Sequence, residues 1–146
     1  MKILLALIVY GIGVSAYAGQ LLVSVEEMTA FNNSTPTFTA KSVPVKDAPK
    51  VELTVPKLSV PVSSPTVIEV KFHPTDPSIV KPESVKVVYG SFGIDITNRI
   101  LSLTKVTETG VFVQEARVPK GKHKLQMIVE DSSGTKGNSA VEFEVQ

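Results

Sequence analysis

The sequence predicts an all-β domain, a two-sheet antiparallel sandwich preceded by a signal peptide and an extended, proline-rich tether. Three observations carry this. From Pro49 onward apolar and polar residues alternate at a period of two, the pattern of half-buried strands. Clusters of turn formers separate the alternating runs at short intervals. No long segment carries a helical repeat, and about seven short strands in roughly a hundred residues suit two packed sheets.

Taken in order, "MKILLALIVYGIGVSAYAG" has the parts of a secretory signal over residues 1–18. Lys2 supplies the positive start, Ile3 to Val14 the apolar stretch, and Ala16-Tyr17-Ala18 a small-x-small site before Gly19. The alternative is a retained anchor, but the apolar run is about a dozen residues where a membrane span needs ~20. The mature chain is therefore expected to start at Gly19. Residues 19–47 read as a tether. Its "SVEEM" has capping-box spacing from Ser24 to Glu27, so a short helix is expected near Val25 to Phe31. The prolines from Pro36 to Pro65 keep the following stretch out of any helix.

The domain proper is expected over 48–146. "KVELTV" puts Val51, Leu53 and Val55 on one face, and "TVIEVKFH" does the same for Ile68, Val70 and Phe72. "ESVKVVY" turns Val85, Val87 and Tyr89 inward, and "GIDIT" turns Ile94 and Ile96. "VFVQEARV" offers Phe112, Ala116 and Val118; "HKLQMIVE" offers Leu125, Met127 and Val129; "AVEFEV" offers Val141, Phe143 and Val145.

Composition excludes several function classes. Fifteen basic residues nearly cancel fourteen acidic ones, which leaves no broad footprint for nucleic acid or an anionic membrane. The absence of cysteine rules out a disulfide framework, a thiol nucleophile and a thiolate metal site. No cofactor-binding pattern is present. "YGSFGIDIT" has two glycines but is expected to run into a strand, without the helix terminus that an anion-binding loop requires.

"VPKGKHKLQMIVEDSSGTKG" followed by "AVEFEV" resembles the last strands of the bacterial immunoglobulin-like domains of exported proteins. The matching positions are Pro119, Gly121, His123, Leu125, Met127, Val129, Asp131, Gly134 and Val141 to Val145, and "VKVVYGSFGIDITNRI" is similar to the middle hairpin of those domains. The resemblance spans roughly Ala48 to Gln146 and implies an immunoglobulin-like sandwich; such sandwiches host many roles. The cysteine pair and the tryptophan of antibody-type domains are missing.

Chemistry-bearing residues give little catalytic signal. His123 and Asp131 lie eight residues apart on one strand, ~26 Å at ~3.3 Å per residue, so with Ser132 they cannot form a triad. His73, Asp76 and Asp131 are expected at one pole and are the candidate metal ligands, although Asp131 also suits capping of its own turn. Arg117, Lys120, Lys122, His123 and Lys124 surround the corner before the sixth strand, a basic cluster for phosphate, acidic glycan or lipid headgroups; His123 also suits a corner hydrogen bond. Tyr89 and Phe92 flank a hairpin tip where an exposed aromatic ring would carry contact energy. The expectation is a periplasmic or secreted, non-catalytic interaction module that binds an envelope protein or polysaccharide. A small periplasmic metal-handling protein is the alternative.

Overall fold

A computed structural model describes residues 21–33 and 45–146. The expected signal peptide and residues 19–20 and 34–44 of the expected tether lie outside them. Within the described residues the chain is a mostly-β sandwich of two four-stranded antiparallel sheets, with two short helices. Strands β1 (Lys50–Val55), β2 (Thr66–His73), β5 (Val106–Thr107) and β6 (Gly110–Ala116) form one sheet in the order β1-β2-β6-β5. The other sheet, β4-β3-β7-β8, uses β3 (Lys86–Tyr89), β4 (Ile94–Asp95), β7 (Gly121–Glu130) and β8 (Lys136–Val145). Helix α1 covers Val25–Asn32 and α2 covers Thr97–Leu103.

The alternating runs become the strands because one row of each can be buried between the sheets. Ile68, Val70 and Phe72 of β2, Val87 and Tyr89 of β3 and Val129 of β7 are all buried in one hydrophobic core. In β6 the expected phase fails in one half. Val111 and Val113 point inward while Phe112 is 53 % exposed, yet Ala116 and Val118 are buried as expected. The cause is a register shift between Thr66 and Ile68 opposite this strand, which changes which row faces the core.

Helix α2 is absent from the strand-only expectation. Two helical turns are too short to show a repeat, and the hairpin at Tyr89–Ile94 passes through the two-residue β4 directly into it. The Asp95 carboxylate accepts the Thr97 N–H at 2.9 Å, and Ile100 anchors the helix in the core. The carboxylate of Asp95 thus already sits at the start of this helix, which disfavours an anion there.

The N-terminal segment differs more. Residues 21–33 belong to the expected tether, and they are packed into one end of the sandwich. Leu22 and Val23 are each 2 % exposed, and Leu22 donates its N–H to the Arg117 carbonyl at 2.9 Å. The expected short helix is present as α1, with both halves of the Ser24–Glu27 capping box formed.

On the side where β1 and β8 approach, the sandwich is less tightly closed. A cavity of about 50 Å³ opens there, lined by Val51, Leu53, Leu125, Met127, Val141 and Phe143 among others. Packing is tighter between β2 and β6, where a Cβ on Gly110 would overlap the carbonyl oxygen of Val70. Gly110→Ala is therefore expected to lower the melting temperature by about 5–15 °C, read by circular dichroism. An unchanged melt would show that the two strands can part without cost.

Candidate functional site

The corner at Pro119–Gly121 turns the chain into β7 and delivers His123 to the interior, where it is 2 % exposed. Its Nε2 lies 2.7 Å from the Pro119 carbonyl oxygen. A carbonyl only accepts, so Nε2 carries the proton. Nδ1 of the neutral ring is then an acceptor, and the Tyr89 hydroxyl donates to it at 2.9 Å. Burial holds the His123 pKa below its ordinary value, against the opposing pull of the Pro119 bond. Burial, reinforced by the charge of Glu27, pushes Tyr89 up to about 12.

The same pair belongs to a chain of rings. Phe31 of α1 lies 5.8 Å from Tyr89, Tyr89 5.8 Å from His123, and His123 stacks on Phe143 of β8 at 5.4 Å. Helix α1 closes this end because its Glu27 carboxylate is clamped by Arg99 of α2. Nη1 reaches Oε2 and Nη2 reaches Oε1, both at 2.7 Å, while Nη1 also donates to the Leu22 carbonyl at 3.0 Å. The Arg99 hydrogen bond, only partly offset by desolvation, pulls Glu27 down to about 2. Phe31 then lies against Gly90, whose φ of +72° and lack of a Cβ leave room for the ring.

Above this ring chain lies an open groove of about 710 Å³. Phe31, His123 and Phe143 contribute to its lining, with Leu58 from the β1–β2 loop and Ser91 from the hairpin. Phe92, beside Ser91, is 70 % exposed. Lys122, Lys124, Glu142 and Glu144 complete the walls. Lys124 is ion-paired with Glu142 at 3.3 Å, and Lys122 stands opposite Glu144 in the β7–β8 register.

The expected site residues separate accordingly. Phe92 is exposed at the hairpin tip, and Lys122 and Lys124 reach the groove. Tyr89 is fully buried, so it is no surface contact; it holds His123 instead. His123 is likewise withdrawn from the basic cluster and makes the corner hydrogen bond. Arg117 and Lys120 are exposed but do not line the groove, and glutamates balance its two lysines.

The metal candidates are not brought together as ligands. His73 is an exposed partner of Glu52 at 3.0 Å, and Asp76 is exposed in the loop before Pro77. Asp131 is 1 % exposed, and its Oδ1 accepts the N–H groups of Ser133 and Thr135 at 2.9 and 3.0 Å and the Ser133 hydroxyl. The Ser133 hydroxyl bond leads the contacts that lower its pKa against the effect of burial. Its Oδ2 is buried without a hydrogen-bond partner, yet no three His, Cys, Asp or Glu side chains gather as a metal site among the described residues. Asp131 caps its own turn.

No protein-family model, curated protein or solved structure matches the chain. Phe31, Glu27, Arg99, Leu58 and Phe143 frame the site without having been singled out as site residues in the sequence. The capping box pointed to Glu27 as a helix residue, but nothing local pairs it with Arg99, 72 residues away.

Proposed function

We propose that the protein is an exported, non-catalytic interaction module with an immunoglobulin-like sandwich, and that it holds an envelope protein in the groove over its ring chain. The strand order β1-β2-β6-β5 facing β4-β3-β7-β8 supports the fold reading, since it matches strands A-B-E-D opposed to C′-C-F-G. His123 adds support by bonding back to Pro119 at the start of β7, the role a tyrosine takes at the corresponding corner of such domains.

The observation that carries the binding reading is the groove itself. Phenylalanine rings contribute to its lining, charges of both signs stand on its walls, and the unburied Phe92 follows its lining residue Ser91 in the chain. Protein interfaces concentrate energy in such aromatic anchors with a polar rim. The non-catalytic part rests on where the reactive side chains are spent: His123 on Pro119 and Tyr89, Asp131 on its turn.

A photo-crosslinking residue placed at Phe92 tests this in envelope extracts of the producing cell. The expected result is one discrete protein adduct, reduced at least tenfold by Lys122→Glu, a change at the groove wall outside the core. No adduct, together with co-sedimentation of the protein with purified envelope polysaccharide, would replace the protein partner by a glycan. An adduct indifferent to Lys122→Glu would remove the groove from the reading.

A further inference from the structure

We propose that protonation of His123 releases the N-terminal segment, residues 21–33, from the end of the sandwich, so that mild acid opens the groove. Opening in this sense rests on the groove reading above, since Phe31 and Asn32 would leave its lining. The neutral His123 ring is fully satisfied: Nε2–H donates to the Pro119 carbonyl, and Nδ1 accepts from Tyr89. A second proton makes both nitrogens donors. The Tyr89 hydroxyl must then turn from donor to acceptor, and its own proton loses the nitrogen that took it. The new charge gains no carboxylate in exchange. From β3 the ring faces the Tyr89 hydroxyl, and from β8 the Phe143 ring. Within 21–33, Glu27 is spent on Arg99 of α2 and Glu26 is exposed. On the groove side Lys122 and Lys124 of β7 balance Glu142 and Glu144 of β8, and Arg117 adds only positive charge. Water has little access either. The residue is 2 % exposed, and the void beside it measures about 10 Å³, at the lower limit for one water, with Leu22, Val23 and Val118 in its walls. A buried imidazolium is thus hydrated only when a covering element lifts.

The N-terminal segment is the cover that lifts at least cost. Leu22 and Val23 close the void, and Phe31 lies against Tyr89. The backbone of the segment joins that of the sandwich at Arg117, through the Leu21 bridge and the Leu22 N–H. By contrast β7, which carries His123, is paired along its whole length with β8 and also with β3. Local opening follows the weaker attachment. The clamp of Arg99 on Glu27 does not respond in mild acid, because Glu27 titrates at about 2. His123 does respond. Burial holds its pKa below the ordinary 6.5 while the segment is docked, so the docked form loses ground as pH falls through 6.5.

Amide exchange of the purified protein, followed by NMR at pH 7.5 and pH 5, tests the proposal. The protection factor of Leu22 is expected to fall about tenfold in acid while that of Val62 holds. His73→Asn, a change at the exposed histidine, is expected to keep the fall, and His123→Phe to abolish it. His123→Gln, which keeps a donor and an acceptor but gains no proton, serves if His123→Phe does not fold. Equal protection of Leu22 at both pH values overturns the proposal. So does a fall shared equally by Val62, which would mean that the whole sandwich opens, or a fall that survives in the His123 variants. The groove is judged separately, by the Phe92 adduct. Its absence at pH 7.5 would strike the groove reading and leave the exchange result standing. An adduct formed at pH 7.5 is expected to drop at least fivefold at pH 5, and one undiminished there would show that releasing the segment does not open the groove.

Discussion

A chain that begins at Ala48 is expected to lose most of its stability, although it retains every strand of the sandwich. Leu22 and Val23 are sealed in the core, and burial of the two side chains contributes about 4 kcal/mol. The clamp of Arg99 on Glu27 adds about 1–2 kcal/mol once the one-third exposure of the arginine is allowed for. A domain of this size holds only about 5–15 kcal/mol in total. Truncation also uncovers the Tyr89 ring and leaves Arg99 without its carboxylate. Denaturant titration of the chains 19–146 and 48–146 measures the loss, with the midpoint of the shorter chain expected to fall by half or more. Equal midpoints would return the segment to the status of a tether.

The clamp also has a pH signature. Glu27 has a folded pKa of about 2 against an ordinary 4.5. Its contribution is complete above 4.5 and is lost as pH falls toward 2, because the unfolded chain takes up the proton first. Arg99→Ala is expected to remove that part of the acid limb. An unchanged acid limb in Arg99→Ala would place the stabilisation of Glu27 elsewhere.

His123→Ala is expected to cost about 3–5 kcal/mol, the second large effect. The substitution empties a sealed ring site and leaves the Tyr89 hydroxyl and the Pro119 carbonyl without their partner. Here too the sign of the pH dependence is fixed by burial. The folded histidine resists protonation, whereas the unfolded one titrates near 6.5. Stability from this group is full above 6.5 and declines as pH falls below it. In His123→Phe, which keeps ring volume, that decline is expected to vanish even though the hydrogen bonds are lost. A decline of the same size in the variant would assign it to other groups.

The strands were legible because burial of one sheet face writes a two-residue period into Ile68-Val70-Phe72 and Val85-Val87-Tyr89. Where that period was interrupted, the reading slipped. The shift opposite Thr66–Ile68 put Phe112 outside, and two turns of helix at Thr97–Leu103 left no repeat to detect. Of the residues lining the groove, only Lys122, His123 and Lys124 were singled out in the sequence, and Phe92 stands next to the lining residue Ser91. Tyr89 and His123 carry polar atoms that suggest a surface, but each satisfies the other inside the core. The docking of residues 21–33 depends on Arg99 and Arg117, long-range partners that no local pattern specifies.

Amide hydrogen exchange at Leu22 tests most directly whether the N-terminal segment completes the fold and walls the groove. That N–H bonds the Arg117 carbonyl in a buried setting, so it is expected to exchange nearly as slowly as the amide of Val62, which bonds Glu144 across the sandwich. Exchange of Leu22 at the rate of an unstructured peptide, with Val62 still protected, would contradict the docked segment and the groove built on it.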